Sequence, residues 1–311
     1  MKIAIVTMSY RGDYKECRLL CESIDRFITN IPHYLFINDE DVKLFKSLES
    51  RNRTILPKSV VLPQYLIRLP FQIMGHHFHV SPFTIPVREW IYQQIVKLSV
   101  WEVLDSSIDV FLNVDSECVF LKPFDTNNYL RDGRLRLLRR HNPSSPSRME
   151  YFRAAKRHLG IEMPIAQISY WDFMDDPIGF RRDVLQEMCR EIGRRHWSGN
   201  YKIALMNTYR FSENYLYGMY VNYIYDTDMK KHFITDHKIF PWIRYTDYLS
   251  LEDCDSEINA VIAKEMGIKF QKEGQRNRNK KSPVAFSDVK QLVYTYWGNK
   301  TDDQKKPDTF G

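Results

Sequence analysis

Short unbroken apolar runs alternate with amphipathic patterns of helical period along most of the chain. Lys2 to Met8 is a continuous apolar run of strand length, closed by Ser9-Tyr-Arg-Gly12. Asp13 stands where a helix N-cap belongs, and Tyr14 to Phe27 puts Leu20, Ile24 and Phe27 on one face. His33 to Ile37 is a second apolar run, ending at Asn38-Asp-Glu-Asp41. Strand, helix and strand at this spacing predict a parallel βαβ unit, and such sheets bind ligands at the carboxyl ends of their strands. The loops carrying Tyr10, Arg11 and Asp13, and Asn38 and Asp39, are therefore expected to face a ligand. For Asp13 a plain helix cap is an equal expectation.

Further along, Val42 to Leu48 predicts a short helix and Val60 to Leu66 a strand interrupted by Pro63. Gln64 to Pro86 is apolar and irregular; its His76, His77 and His79 have no cysteine or second histidine cluster nearby, which favours a covering loop or partner surface over zinc. Arg88 to Leu104 predicts a helix with an apolar stripe of Trp90, Ile91, Ile95, Leu98 and Val103, leaving Gln93, Gln94 and Lys97 on other faces. Val110 to Val114 reads as a buried strand, Cys118 to Leu121 as another stopped by Pro123, and Leu135 to Leu138 as a third. Helices are expected over Glu150 to Leu159, Pro177 to Ile192, Tyr201 to Asn207, and from a cap at Ser212 toward Tyr225.

Composition narrows the classes without choosing among them. The 311 residues are 43% hydrophobic, 27% charged and 14% aromatic, enough for one large domain, alone or with an appendage. A net charge of +6 suits an anionic ligand or membrane surface, and no nucleic-acid-binding module is recognisable. Five cysteines, an odd number at irregular spacing, imply reduced thiols in a reducing compartment. The first apolar run is too short for a signal peptide, and no run approaches the roughly 18 residues needed to span a bilayer. These features lead us to expect a cytoplasmic protein, soluble or peripheral at the inner face of a membrane.

The chemistry concentrates at Asp115-Ser116-Glu117, directly after an apolar strand. Two carboxylates one residue apart at a buried strand end cost free energy unless something positive binds there. A hard divalent cation carrying phosphate oxygens is a natural partner. The competing reading is an acidic turn. Glu213 follows Ser212 in the first turn of its helix, where the helix dipole favours an ionised carboxylate. Its plainer role is to stabilise that helix.

Phe111-Leu-Asn-Val-Asp-Ser-Glu-Cys-Val-Phe-Leu-Lys-Pro-Phe124, with Trp90-Ile-Tyr-Gln-Gln-Ile-Val-Lys-Leu98 upstream and Phe211-Ser-Glu-Asn-Tyr-Leu-Tyr-Gly218 downstream, resembles the motif set of GT-A nucleotide-sugar glycosyltransferases. Together the motifs look like those of a bacterial GT-A-like family reading roughly W-x-x-Q-Q-x-x-K-L, D-S-D and F-S-E-Y-x-x-Y-G, over about residues 1–250. Here Glu117 replaces the usual Asp and Asn214 the usual Tyr. The resemblance implies an α/β fold, a GT-A-like Rossmann-type three-layer sandwich around a mostly parallel sheet. It implies a catalytic domain over 1–250 and a helical, basic extension over 251–311. Pro164 to Trp171 would be the next core strand.

The same resemblance implies a hexosyltransferase-type enzyme moving a sugar from a UDP- or GDP-sugar to a glycan or lipid-linked acceptor in bacterial surface polysaccharide synthesis. Mn2+ or Mg2+ would be held by Asp115 and Glu117, with His237 as a further ligand. Tyr10, Arg11, Asp13, Asp39, Arg88, Lys97, Asp115 and Ser116 would line the donor, and Trp171 and Asp172 the acceptor. Glu213 would be the base of an inverting reaction, or a substrate contact in a retaining one. The basic stretch 269–281 would touch an anionic membrane, or be a solvated segment. Two alternatives stay open: a non-catalytic GT-A-like binding subunit, and another D-x-E metal-dependent nucleotide-processing enzyme. The absence of G-x-x-x-x-G-K-[ST] disfavours a P-loop ATPase.

Overall fold

In a computed structural model, the described residues are 1–120, 123–124, 126–141, 146–168, 171–174, 177–225, 228, 230–235, 242–244, 290, 293, 294 and 297. They fall into two compact units. The first comprises 1–12, 30–115 and 125–239; the second comprises 13–29, 116–124 and 240–311.

The first unit is mixed α/β around a mostly parallel five-stranded sheet. In spatial order its strands are Ile178–Arg181, Val110–Asn113, Ile3–Ser9, His33–Ile37 and Arg53–Pro57. The last four run parallel, and Ile178–Arg181 is antiparallel to Val110–Asn113. Every residue of Ile3–Ser9 is buried, which is why this strand reads as an unbroken apolar run rather than an alternating one. Its register sets Val6 opposite Asn113, so the chain leaves Val110–Asn113 at the carboxyl end of the sheet just before Asp115.

Two anchors fix the elements that carry the site. Arg182 begins the helix Arg182–Arg195, and its guanidinium donates to the carbonyls of Ile108 at 2.7 Å, Trp101 at 2.7 Å and Leu104 at 3.0 Å. That clamps the approach to the Val110–Asn113 strand. Tyr217, on the helix Glu213–Tyr220, accepts from the Arg181 amide at 2.8 Å and pairs with His232 Nε2 at 2.9 Å. This ties that helix to the sheet edge and to the strand His232–Thr235, which pairs in parallel with Arg134–Leu138. In the second unit, the helix Tyr14–Phe27 packs on the strand Cys118–Phe120, and Phe120 N donates to Ser23 Oγ at 3.1 Å. Cys118–Phe120 also pairs antiparallel with Trp242–Arg244.

Several expectations need correction. Val60 to Leu66 is not a strand; Lys58–Val61 is a 3-10 turn, and the sheet strand lies earlier, at Arg53–Pro57. Buried Arg53 donates to His33 Nδ1 at 3.1 Å and to the Leu48 carbonyl at 2.9 Å, so a charged residue sits where an apolar one is expected. Pro164 to Trp171 is not a core strand: Ile165–Ile168 is one helical turn, and Trp171–Asp172 pairs with Arg140–His141 outside the central sheet. The core strand is Ile178–Arg181, so the helix expected from Pro177 starts at Arg182. Gln64 to Pro86 is more regular than expected, forming with Val87 and Arg88 an antiparallel meander of Ile67–Arg68, Phe78–Ser81 and Thr84–Arg88. In the helix Glu89–Ser99, Trp90 is exposed and Val103 falls beyond its end. Asp13 and Ser212 occupy N-cap positions, but neither side chain accepts a capping hydrogen bond. No described helix is long and apolar enough to cross a membrane.

Candidate active site

Lys97 is the centre of the site, and it is held by residues from all three sequence motifs. Gln94 and Lys97 lie three apart on the helix Glu89–Ser99 and share a face. Asp115 follows the strand Val110–Asn113, and Glu213 opens the helix Glu213–Tyr220. Lys97 Nζ donates to Asp115 Oδ1 at 3.0 Å and to Glu213 Oε1 at 3.0 Å. The side chains of Lys97, Asp115 and Glu213 are 12%, 29% and 5% exposed, so Asp115 is the member that reaches solvent. The Gln94 amide nitrogen, turned toward Glu213, donates to Oε1 at 2.9 Å and also contacts Oε2.

An ammonium buried this deeply would ordinarily lose its proton. Burial does push the Lys97 pKa down, but the Asp115 and Glu213 carboxylates outweigh it and the net shift is upward. The site therefore holds a permanent positive charge between two carboxylates. Two residues missed as site candidates lie in the same framework. Gln94, read as facing elsewhere, is buried against Glu213. Asn113 is buried, and among the described residues neither polar atom of its amide has a hydrogen-bond partner. A buried amide left that way costs about 1–3 kcal/mol, so a ligand or water is expected beside it. Its position two residues before Asp115 was the available signal.

The remaining candidates divide into separate groups. Arg11 is tied to Asp41, by Nε to Oδ1 at 3.0 Å and by its backbone amide to Oδ2 at 2.8 Å. Tyr10 is exposed beside it, and Asp39 accepts from the Ser59 amide at 3.2 Å. Arg88 is exposed and donates to His76 at 2.9 Å, away from the Lys97 cluster. In the second unit, Ser116 donates to Asp13 Oδ2 at 3.2 Å and Glu117 is half-buried. Trp171 is half-buried, while Asp172 is buried and accepts from Tyr215 Oη at 2.9 Å and the Met174 amide at 3.0 Å. His237 and the stretch 269–281 lie outside the described residues.

Among the described residues no group of three or more His, Cys, Asp or Glu side chains is placed to hold a metal. The donor chemistry of Asp115 and Glu117 nevertheless suits one kind of ion. Both offer carboxylate oxygens, and neither is fully buried. Carboxylate oxygens are the donors that a hard divalent ion takes.

One family covers most of the chain. The description "Family of unknown function (DUF6492)" matches residues 1–253. The chain belongs to this family. No curated protein matches it. Among solved structures it is similar to 4-diphosphocytidyl-2C-methyl-D-erythritol synthase from Anaerococcus prevotii, at 10% identity and TM-score 0.39 over 86% of this chain and 96% of that one. It is also similar to mouse xyloside xylosyltransferase 1, at 6% identity and TM-score 0.38 over 76% and 85%. A third likeness is to the galactosyltransferase LgtC with donor and acceptor sugar analogues, at 12% identity and TM-score 0.36 over 70% and 70%. At these scores the likenesses assign no activity to this DUF6492 chain.

Proposed function

We propose that this DUF6492 protein is a glycosyltransferase that moves a hexosyl group from a UDP- or GDP-sugar to a glycan or lipid-linked acceptor. The reading includes a place in bacterial surface polysaccharide synthesis, with peripheral membrane contact through 269–281. The observation that supports it is the Lys97 bridge, which gathers the three motifs of the resemblance onto one buried charge. Lys97 stands 18 residues from Asp115 and 116 from Glu213 in the chain, so the fold brings the motifs together.

In this reading Asp115 and Glu117 would hold Mn2+ or Mg2+, with His237 as a further ligand. When bound, that ion supplies neutralisation of the charge that gathers on the departing diphosphate. The protein's own groups do the rest. Lys97 stays charged and adds fixed positive potential beside Asp115. Arg11 and Asp39, after the first two strands, are candidates for base and ribose contact. The acceptor oxygen bonds to the anomeric carbon while the bond from that carbon to the phosphate oxygen breaks, and its electron pair leaves with the diphosphate. The acceptor proton passes to Glu213, which Gln94 and Lys97 hold in place.

A second reading has its own support. Glu213 is 5% exposed and engaged by both Lys97 and Gln94, which suits a positioning residue that aims the ammonium. The test is turnover of a UDP- and GDP-sugar panel, read as released nucleoside diphosphate, for wild type and Glu213→Gln. A fall in kcat with donor KM unchanged supports the base. A raised donor KM with kcat unchanged supports positioning. No release from any donor rejects the transferase.

A further inference from the structure

A second charged cluster lies one step from Glu213, and among the described residues its arginines outnumber its carboxylates. Asp172 is 1% exposed and forms an ion pair with Arg148, while Arg140 Nη2 stands off at 3.8 Å. Arg148 Nη1 also donates to Tyr215 Oη at 3.2 Å. Arg139 places its guanidinium carbon over the Trp171 ring, 4.0 Å from its centroid, and donates to Asn222 at 2.6 Å. Among the described residues two guanidinium groups thus share one carboxylate, with the Arg139 guanidinium beside Trp171. Glu150, one turn along the helix Pro146–Leu159, is paired with Arg210 at 3.0 Å.

Arg140 is the telling member. Its side chain is 27% exposed, its Nε is buried, and among the described residues that Nε donates to nothing. The Nε of Arg139 is buried in the same way. A planar fork with donors to spare, partly desolvated beside a carboxylate already claimed by another arginine, is matched by an oxyanion that accepts two parallel hydrogen bonds. The intervening stretch Asn142-Pro-Ser-Ser-Pro-Ser147 contains no acidic residue that would fill this role.

The cluster is also joined to the candidate active site. Met174 Sδ is within 3.6 Å of Ser212 Oγ and 3.8 Å of Asn214 Nδ2, the residues on either side of Glu213. Asp172, Met174 and Tyr215 therefore form one connected wall between Arg140 and the carboxylate. Among the described residues the charge this wall turns outward is that of arginine, since Asp172 is covered.

We propose that Arg140 and Arg148, braced by Asp172, form a subsite for an anionic group, phosphate or carboxylate, on the acceptor. This rests on the transferase reading for the word acceptor, and on the geometry alone for the anion. The test follows thermal unfolding while inorganic phosphate or glucuronate replaces chloride at constant ionic strength. The full chain is used as wild type, Arg140→Gln, Arg140→Lys and Asp115→Asn, each checked by circular dichroism. Wild type and Asp115→Asn should be stabilised by one of the two anions. Arg140→Gln should bind that anion about ten-fold more weakly, the scale of one charge-assisted hydrogen bond, and Arg140→Lys should fall between. Saturating UDP should leave the anion effect in place. An unchanged response in Arg140→Gln, no response to either anion in wild type, or displacement of the anion by UDP would each overturn the assignment. Anion binding through Arg140 in a chain that binds no nucleotide would keep the subsite and remove the transferase reading instead.

Discussion

Replacing Lys97 by Met should destabilise this protein far more than a surface lysine would. Each of the two contacts at 3.0 Å is worth about 5 kcal/mol of Coulomb attraction at an effective dielectric constant of about 20. Desolvation of the ammonium cancels much of that sum in the wild type. The variant, however, keeps the other cost: Glu213, 5% exposed, stays beside Asp115 with no cation between them. Breaking a buried pair from one side costs about 3–5 kcal/mol, and that is the expected loss at pH 7. The assay is urea unfolding followed by tryptophan fluorescence, for Lys97→Met, Glu213→Gln and the double variant. The double variant should be more stable than Lys97→Met, because the orphaned charge is gone, giving a coupling energy of about 2 kcal/mol or more. An unfolding midpoint for Lys97→Met within error of wild type would refute the bridge as a buried, charged contact.

Three further expectations follow from other parts of the molecule. Burial, aided by Arg68, Lys58 and His77, lowers the His79 pKa to about 4, and burial with Arg157 and His196 lowers that of His158 to about 4. Between pH 6.5 and 4 the unfolded chain binds these protons and the folded one does not, so stability falls as pH falls, by at most about 3 kcal/mol for each histidine. His79→Gln should flatten that slope in a Tm-against-pH series. Gly218→Ala should cost roughly 1–3 kcal/mol in the same measurement, because the new methyl would meet the buried Phe173 ring. Tyr217→Phe removes both the Arg181 and His232 contacts and should cost about 1–3 kcal/mol, with no effect expected from Tyr209→Phe on the exposed surface.

The elements legible in the sequence were those whose environment is uniform. Ile3–Ser9 and Val110–Asn113 are buried along their whole length, so hydropathy alone marked them. Arg53–Pro57 escaped because its first residue is a buried arginine paired with His33, and the more apolar stretch after it drew the strand assignment. Ile178–Arg181 escaped because the helix Arg182–Arg195 follows with no intervening turn, and its helical period absorbed four strand residues. At the site, the family resemblance singled out Lys97, Asp115 and Glu213 individually. Their contact was not legible, since Lys97 is 18 residues from one partner and 116 from the other. Gln94 was missed for the same reason: it is defined by Glu213 lying across from it.

The most direct test is calorimetric titration of UDP and GDP into the full-length protein, with Mn2+ and with chelator, for wild type and Asp115→Asn. Tight binding of one nucleotide only when Mn2+ is present, lost in the variant, is the predicted result. Binding that ignores both the metal and the substitution, or no binding of either nucleotide, would contradict a diphosphate site at Asp115.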